Sequence, residues 1–351
     1  MRSSIFNFEH FRRYAALPRA ERRWHAALAG ILAAMAVLCL RLPPLLFGRS
    51  GCAGGTLGST AVASLSDRTH VLFIGSSHVL FGIRPQRYSV GAMNLATTWM
   101  DYACLRRVVE KHLPRVPNLR VAVIEYDELP LVSDLVPSMI ATNDPRPLAE
   151  LELTPLEFPA SGLRQRVGVL RAVWTFPLTS LPRLTPLGWM NAAQACSPLH
   201  HPQQGFAAGY YFTDAVTPPS YDPRVLFTSL TAAAQNERVV QRNLHALEET
   251  IALLRRRGVT VVLLRLPHGR DYAPRRPPLV AARWRQLQRR VQALSRRDEG
   301  LLVLDWGEKP EFQPGDFRDN HHLNAFGVDK LAGLLDPELR RLCRMDVGAT
   351  R

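Results

Sequence analysis

Four short apolar runs recur along the chain: Val71–Ile74, Val121–Ile124, Val259–Leu264 and Leu301–Leu304. None alternates apolar with charged residues, as a strand with one wet face would. Continuous apolar runs of this length belong to strands covered on both faces. Helical spacing stands between them. Val240, Leu244, Leu247, Ile251 and Leu254 step by four and three, and Val280, Trp284, Leu287, Val291 and Leu294 repeat the pattern. A further helix runs through Cys104–Val109 and is stopped by Pro114. The triplet Arg255, Arg256 and Arg257 suits the negative carboxyl end of a helix, and Gly258 suits the residue beyond it. The triplet therefore reads as helix termination and not as a polyanion patch. Asn324 can cap a last helix carrying Val328, Leu331 and Leu335. Strand alternating with helix requires right-handed crossovers and a parallel sheet buried between helices. The expected fold is α/β, a flavodoxin-like three-layer sandwich.

Only part of the 351 residues serves that sandwich. Residues 1–25 carry six arginines against Glu9 and Glu21, and Ala26–Leu40 is uncharged and apolar. After Arg41 the apolar character resumes to Phe47, so 26–47 meets the roughly 20 residues a membrane helix needs. The basic flank predicts a cytoplasmic tail at 1–25, a single-pass anchor at 26–47 and everything later outside an inner membrane. A cleaved signal peptide is the competing reading. Residues 48–69 are rich in Gly, Ser, Thr and Ala and read as a flexible linker. The catalytic domain is expected at 70–345, with a proline-rich insertion at about 128–223. Trp174, Trp189, Tyr210, Tyr211 and Phe212 in that insertion could line a cleft or cover a small satellite core.

Lys and Arg exceed Asp and Glu by 44 to 30, a net charge of +14, spread along the chain instead of gathered in basic blocks with interleaved aromatics. That spread gives no reason to expect nucleic acid and suits a lipid surface or an acidic polymer. The five cysteines, Cys39, Cys52, Cys104, Cys196 and Cys343, lack paired spacing, and the doublet His200–His201 has no neighbouring ligand set. Neither a metal nor a cofactor is expected.

The chemistry is concentrated at two places. Val71–Ile74 runs directly into Gly75, Ser76, Ser77 and His78, so a serine stands at the carboxyl end of a buried strand, where open α/β sheets bind ligands. Near the other end the chain reads Asp319, Asn320, His321, His322, Leu323, Asn324. An Asp three positions before a His can orient the imidazole, whose second nitrogen then faces a serine hydroxyl. His321 competes with His322 for that role, and His78 reads as a local hydrogen-bonding group.

These two blocks resemble the first and last motifs of the SGNH/GDSL hydrolase superfamily, and in particular its membrane-anchored branch of alginate O-acetylation proteins and D-alanyl transfer proteins. The resemblance spans roughly residues 70–340. It implies Ser77 as nucleophile, His322 as base and Asp319 as its orienting acid. It also implies an oxyanion hole from the Ser77 N–H with Asn94 or Ala96, which stand where the family reads Asn-x-Gly. The family's Gly-x-Asn-Asp block is absent after Val121–Ile124, where Glu125, Tyr126 and Asp127 follow instead. The implied activity is a serine esterase or O-acyltransferase acting on an acylated carbohydrate or small ester in the cell envelope, with a membrane acyl-transport protein as a possible partner. The alternative is a non-catalytic accessory subunit of a membrane acyl-transfer or polysaccharide export system.

Overall fold

The computed structural model describes residues 62, 64–135, 151, 153, 205–207, 210–212 and 223–345. The expected tail, the anchor at 26–47, residues 48–61 and 63 of the linker, Trp174, Trp189 and the His200–His201 doublet lie outside the described residues. Among those described, no helix is long and apolar enough to cross a membrane.

Five parallel strands form the sheet: β1 (Val71–Ile74), β2 (Ala92–Asn94), β3 (Val121–Glu125), β4 (Thr260–Arg265) and β5 (Leu301–Asp305). Their spatial order is β2-β1-β3-β4-β5, the flavodoxin order. The register runs straight across the middle: Phe73 pairs with Val123, Val123 with Val262, and Val262 with Leu302. An unnumbered antiparallel hairpin, Gly205–Ala207 with Tyr210–Phe212, is all that is described of residues 154–222.

Because side chains alternate along a strand, each strand feeds two cores. Leu72, Ile74, Ala122, Ile124, Val261 and Leu263 face one side. There they meet α2 (Tyr102–His112), α5 (Glu237–Arg256) and α6 (Pro278–Ser295), through residues such as Val108, Leu247 and Leu287. Val71, Phe73, Val121, Val123, Val262 and Leu264 face the other. They pack on α1 (Ser77–Gly82) and α7 (Ala325–Met345), through Val79, Val328, Leu331 and Leu335. Each such buried side chain contributes about 1.5–3 kcal/mol, which is why the apolar runs set the layers. The helix α3 (Glu128–Val132) also belongs to this core, since Leu129, Leu131 and Val132 are buried in the first cluster. The described chain resumes with α4 (Pro223–Ala234).

Two sequence expectations shift. The run Leu301–Leu304 is an edge strand and not a fully buried one: among the described residues no strand flanks β5 on its outer side, and Val303 is 37% exposed. The helix α6 ends at Ser295, and Gly300 instead enters β5 with its N–H held by Asp298. The end of α5 is as expected. Gly258 adopts φ +73° and donates to Arg255 O, while Val259 donates to Leu254 O, a paired closure that favours glycine. Arg255 turns to Asp298 and to the Val259 carbonyl.

Candidate active site

β1 stops at Gly75 because a side chain there would collide with β3. A Cβ at Gly75 would lie 2.5 Å from Glu125 Oε2. The space lets the Glu125 carboxylate, fully buried at the end of β3, reach under the turn. It accepts from the Ser76 backbone N–H, from Ser76 Oγ at 2.8 Å and from His78 Nδ1 at 3.1 Å. Ser76 is thereby fixed as the residue before α1, although its own side chain does not cap that helix. Ser77 follows as the first residue of α1 and stays partly exposed.

The loop that returns before α7 is closed on itself. Phe317 and Leu323 form an isolated antiparallel bridge, and Arg318 N–H donates to His322 O at 2.9 Å. Within it, Asp319 Oδ1 accepts from the backbone N–H groups of His321 (2.9 Å) and His322 (2.8 Å). Asp319 Oδ2 lies 2.8 Å from His322 Nδ1, and His322 Nε2 lies 3.0 Å from Ser77 Oγ, 245 residues away in the chain. The bond to Asp319 places the imidazole proton on Nδ1, so Nε2 is an acceptor aimed at the Ser77 hydroxyl.

Electrostatics favour that protonation state. Burial pulls His322 below its ordinary value, and the bond and charge of Asp319 offset this only in part. The ring is therefore neutral near pH 7. Burial pushes the Asp319 carboxyl up, but the hydrogen bond from His322 and the neighbouring imidazoles outweigh it and hold it well below the usual carboxylate range. A neutral base beside a firmly ionised acid can take a proton from a hydroxyl and stabilise the resulting imidazolium.

Each residue singled out in the sequence now has a place. Ser77, His322 and Asp319 form one hydrogen-bonded chain. His321 does not reach Ser77 in it: its ring lies 3.9 Å from that of His322, and its Nδ1 lies 3.2 Å from Asp319 Oδ1. The hydrogen bonds of Asn94 and Ala96 go to groups other than Ser77. Asn94 Nδ2 donates to the carbonyls of Val79 and Ile83, and its Oδ1 accepts the Ala96 N–H at 2.9 Å. The Asn94 side chain thus binds β2 to α1, and the Ala96 N–H is held by Asn94 itself. The reason is local: at the buried end of α1 the Asn94 amide meets the Ile83 carbonyl and adds a second donor to the Val79 carbonyl, which already accepts the Ile83 N–H.

Beside the triad lies a buried polar cluster that the sequence reading did not single out. Asp127 Oδ2 stands 3.0 Å from His268 Nε2 and 3.8 Å from Arg265 Nε, and Glu128 Oε1 stands 2.7 Å from Arg276 Nε. Burial and the Asp127 charge push Glu128 up to about 7. His78 loses to burial but gains more from Glu125, Asp127 and Asp319, and its value is raised. The signal was present in the sequence. Carboxylates at 125, 127 and 128 directly follow one apolar strand, and His268 closes another.

No family model matches the chain, and none of the curated proteins searched does either. Among solved structures, a candidate acylhydrolase from Bacteroides fragilis is similar at 10% identity and a TM-score of 0.40, covering 81% of this chain and 95% of its own. A candidate platelet activating factor from Streptococcus pneumoniae is similar at 12% identity and a TM-score of 0.39, covering 90% of this chain and 99% of its own. Likeness at this level carries nothing about the chemistry at Ser77.

Proposed function

We propose that the chain is a serine esterase or O-acyltransferase of the SGNH type, acting on an acylated glycan or other cell-envelope ester. The observation that carries this reading is the unbroken chain from Ser77 Oγ through His322 to Asp319, at 3.0 and 2.8 Å. In the first half-reaction Ser77 Oγ attacks the acyl carbonyl as its proton passes to His322 Nε2. The tetrahedral intermediate collapses, the C–O bond to the leaving alcohol breaks, and His322 returns the proton to that alcohol. The acyl group now rests on Ser77. In the second half-reaction the oxygen of water, giving an esterase, or of an acceptor hydroxyl, giving a transferase, attacks the acyl carbon as its proton passes to His322, and the Ser77 ester bond breaks as His322 returns that proton to Ser77 Oγ. Asp319 stays ionised throughout and holds the imidazolium. The Ser77 N–H, in the first turn of α1 and so without an acceptor inside that helix, is the backbone donor offered to the oxyanion.

The basic flank at 1–25 and the apolar stretch at 26–47 support a placement on the outer side of an inner membrane, with the linker 48–69 as the spacer. That placement brings acylated polysaccharide, and a membrane protein that delivers acyl groups, within reach.

The test is covalent labelling of Ser77 by a fluorophosphonate, with hydrolysis of an aryl acetate by the wild type, Ser77→Ala and His322→Ala. Labelling at Ser77 is expected, with turnover lost in both variants. A second reading, the non-catalytic accessory subunit, draws on the engagement of Asn94 and Ala96 within the fold. It is the correct one if a folded wild type leaves Ser77 unlabelled.

A further inference from the structure

We infer that His78, Asp127 and His268 form a binding site for a divalent transition-metal ion of the Zn2+ type, beside and below Ser77. The three residues come from separate places at the carboxyl edge of the sheet: the second position of α1, the turn after β3 and the loop after β4. One ligand atom from each lies within 4.8 Å of the other two. All three side chains are buried, at 2%, 0% and 7% exposure.

What marks the cluster is that its polar atoms face one another without partners. His78 Nε2, Asp127 Oδ2 and both ring nitrogens of His268 are buried and make no hydrogen bond. His268 Nε2 and Asp127 Oδ2 are 3.0 Å apart, yet the pair lacks hydrogen-bond geometry. Buried polar atoms are nearly always satisfied, so several orphans converging on one point call for a missing partner. A cation bound by His78 Nε2, Asp127 Oδ2 and one ring nitrogen of His268 would satisfy three of these four atoms together.

The surroundings fit a cation. Glu125 Oε1 lies 3.1 Å from His78 Nδ1, so a carboxylate holds the far nitrogen and turns Nε2 inward, the arrangement that orients metal-ligating histidines. The His268 ring is fixed by stacking on Tyr272 at 4.2 Å. The carboxyl groups of Glu125, Asp127, Glu128 and Asp319 gather here with Arg265 and Arg276, so acidic side chains outnumber basic ones around the three ligands. Two nitrogens and a carboxylate oxygen suit Zn2+, whose bonds of about 2.0–2.2 Å set neighbouring ligand atoms roughly 3.4 Å apart. The Asp127–His268 spacing is already close to that.

His78, His321 and His322 form a second triplet of suitable geometry. It is the weaker candidate, because both ring nitrogens of His322 are engaged, by Asp319 and Ser77. The site proposed leaves that array intact. It would tie α1, β3 and β4 together beneath the nucleophile.

The experiment uses the full chain, stripped with a chelator and titrated with Zn2+ against a chromophoric competitor. Bound metal is counted by elemental analysis. One equivalent is expected, together with a rise in Tm. Asp127→Asn and His268→Gln should each weaken binding at least tenfold, while His321→Gln leaves it unchanged. With Co2+ as the probe, His268→Cys should add a thiolate-to-metal charge-transfer band that the wild type lacks, a signature a merely structural residue would not give. Far-UV circular dichroism of the metal-free variants establishes that each is folded. Should Asp127→Asn fail to fold, the His268 variants decide the matter alone. No stoichiometric Zn2+, affinity unchanged in the folded His268→Gln variant, or loss in His321→Gln with retention in His268→Gln would each overturn the proposal.

Discussion

Replacing Glu125 by Gln tests whether the site is held from below. The carboxylate is fully buried and accepts three hydrogen bonds, two from Ser76 and one from His78. Glutamine keeps the volume and one carbonyl oxygen. With that oxygen on the Ser76 N–H, the new amide faces Ser76 Oγ, which can rotate to accept, and His78 Nδ1, which must surrender its proton to do so. The bonds survive but lose their charge assistance. Hydrogen bonds to charged groups contribute about 1.5–3 kcal/mol, against about 0.5–1.5 for neutral ones. Summed over three, the loss is on the order of 3 kcal/mol. Against a total stability of about 5–15 kcal/mol, that is a readily measured shift in the urea midpoint.

The sign of the pH dependence sharpens this test. His78 is raised by Glu125 in the folded state, so its contribution is fully present below the ordinary histidine value of 6.5 and is lost as pH rises through the folded value. The penalty for Glu125→Gln should therefore be larger at pH 5.5 than at pH 9. Because Glu125 positions Ser76, and Ser76 precedes the nucleophile, fluorophosphonate labelling of Ser77 should slow as well, by up to about 100-fold for a misplacement near 1 Å. Equal urea midpoints for wild type and variant at both pH values, with equal labelling rates, would refute the reasoning.

Three further outcomes are expected. The labelling rate of Ser77 should keep its neutral-pH value to below pH 6.5 and fall only beneath that, since burial lowers His322; a half-maximal rate above 6.5 would contradict the assignment. Asn94→Ala should cost about 2–4 kcal/mol in urea unfolding, through the Ile83 carbonyl and the Ala96 N–H it strands and the second donor lost at the Val79 carbonyl. A variant of unchanged stability but much lower kcat would instead make Asn94 an oxyanion donor. Burial pushes Asp101 up to about 6, with the Arg242 charge opposing, so its contribution to stability is present below pH 4 and is lost as pH rises through 6. Asp101→Asn should flatten the stability profile across that window, and an unaltered slope would show that another group sets it.

The sheet and the triad were legible because both are local signals. An apolar run of four to six residues has few alternatives to a buried strand, and Asp319 and His322 sit three apart on one loop. β2 escaped notice because Ala92–Asn94 is three residues long and only Asn94 is fully buried, which leaves neither a run nor an alternation to read. The hydrogen bonds of Asn94 were hidden for a related reason. An amide beside a turn can serve a ligand or the backbone, and here it meets the carbonyls of Val79 and Ile83, fifteen and eleven residues earlier. The convergence of His78, Asp127 and His268 was hidden more deeply. It exists only once β1, β3 and β4 lie side by side, and the spatial order of strands is not written at any single position.

That order also explains how two distant segments meet. β5 is at one edge, and three strand spacings of roughly 4.8 Å, about 14 Å, separate it from β1. The chain leaving β5 must therefore travel back across the ends of β4 and β3 before His322 can face Ser77. It is guided on the way. His268 N–H donates to Gly307 O at 3.0 Å and Gly269 N–H donates to Asn320 O at 2.9 Å, so the loop after β4 is the rail on which the Asp319–His322 loop lies. The base is consequently positioned by the same residues that present His268 to Asp127 and His78. Substitutions in the β4 loop should disturb the polar cluster and the triad together, whereas substitutions in α7 beyond its first turn should leave both in place and affect stability alone.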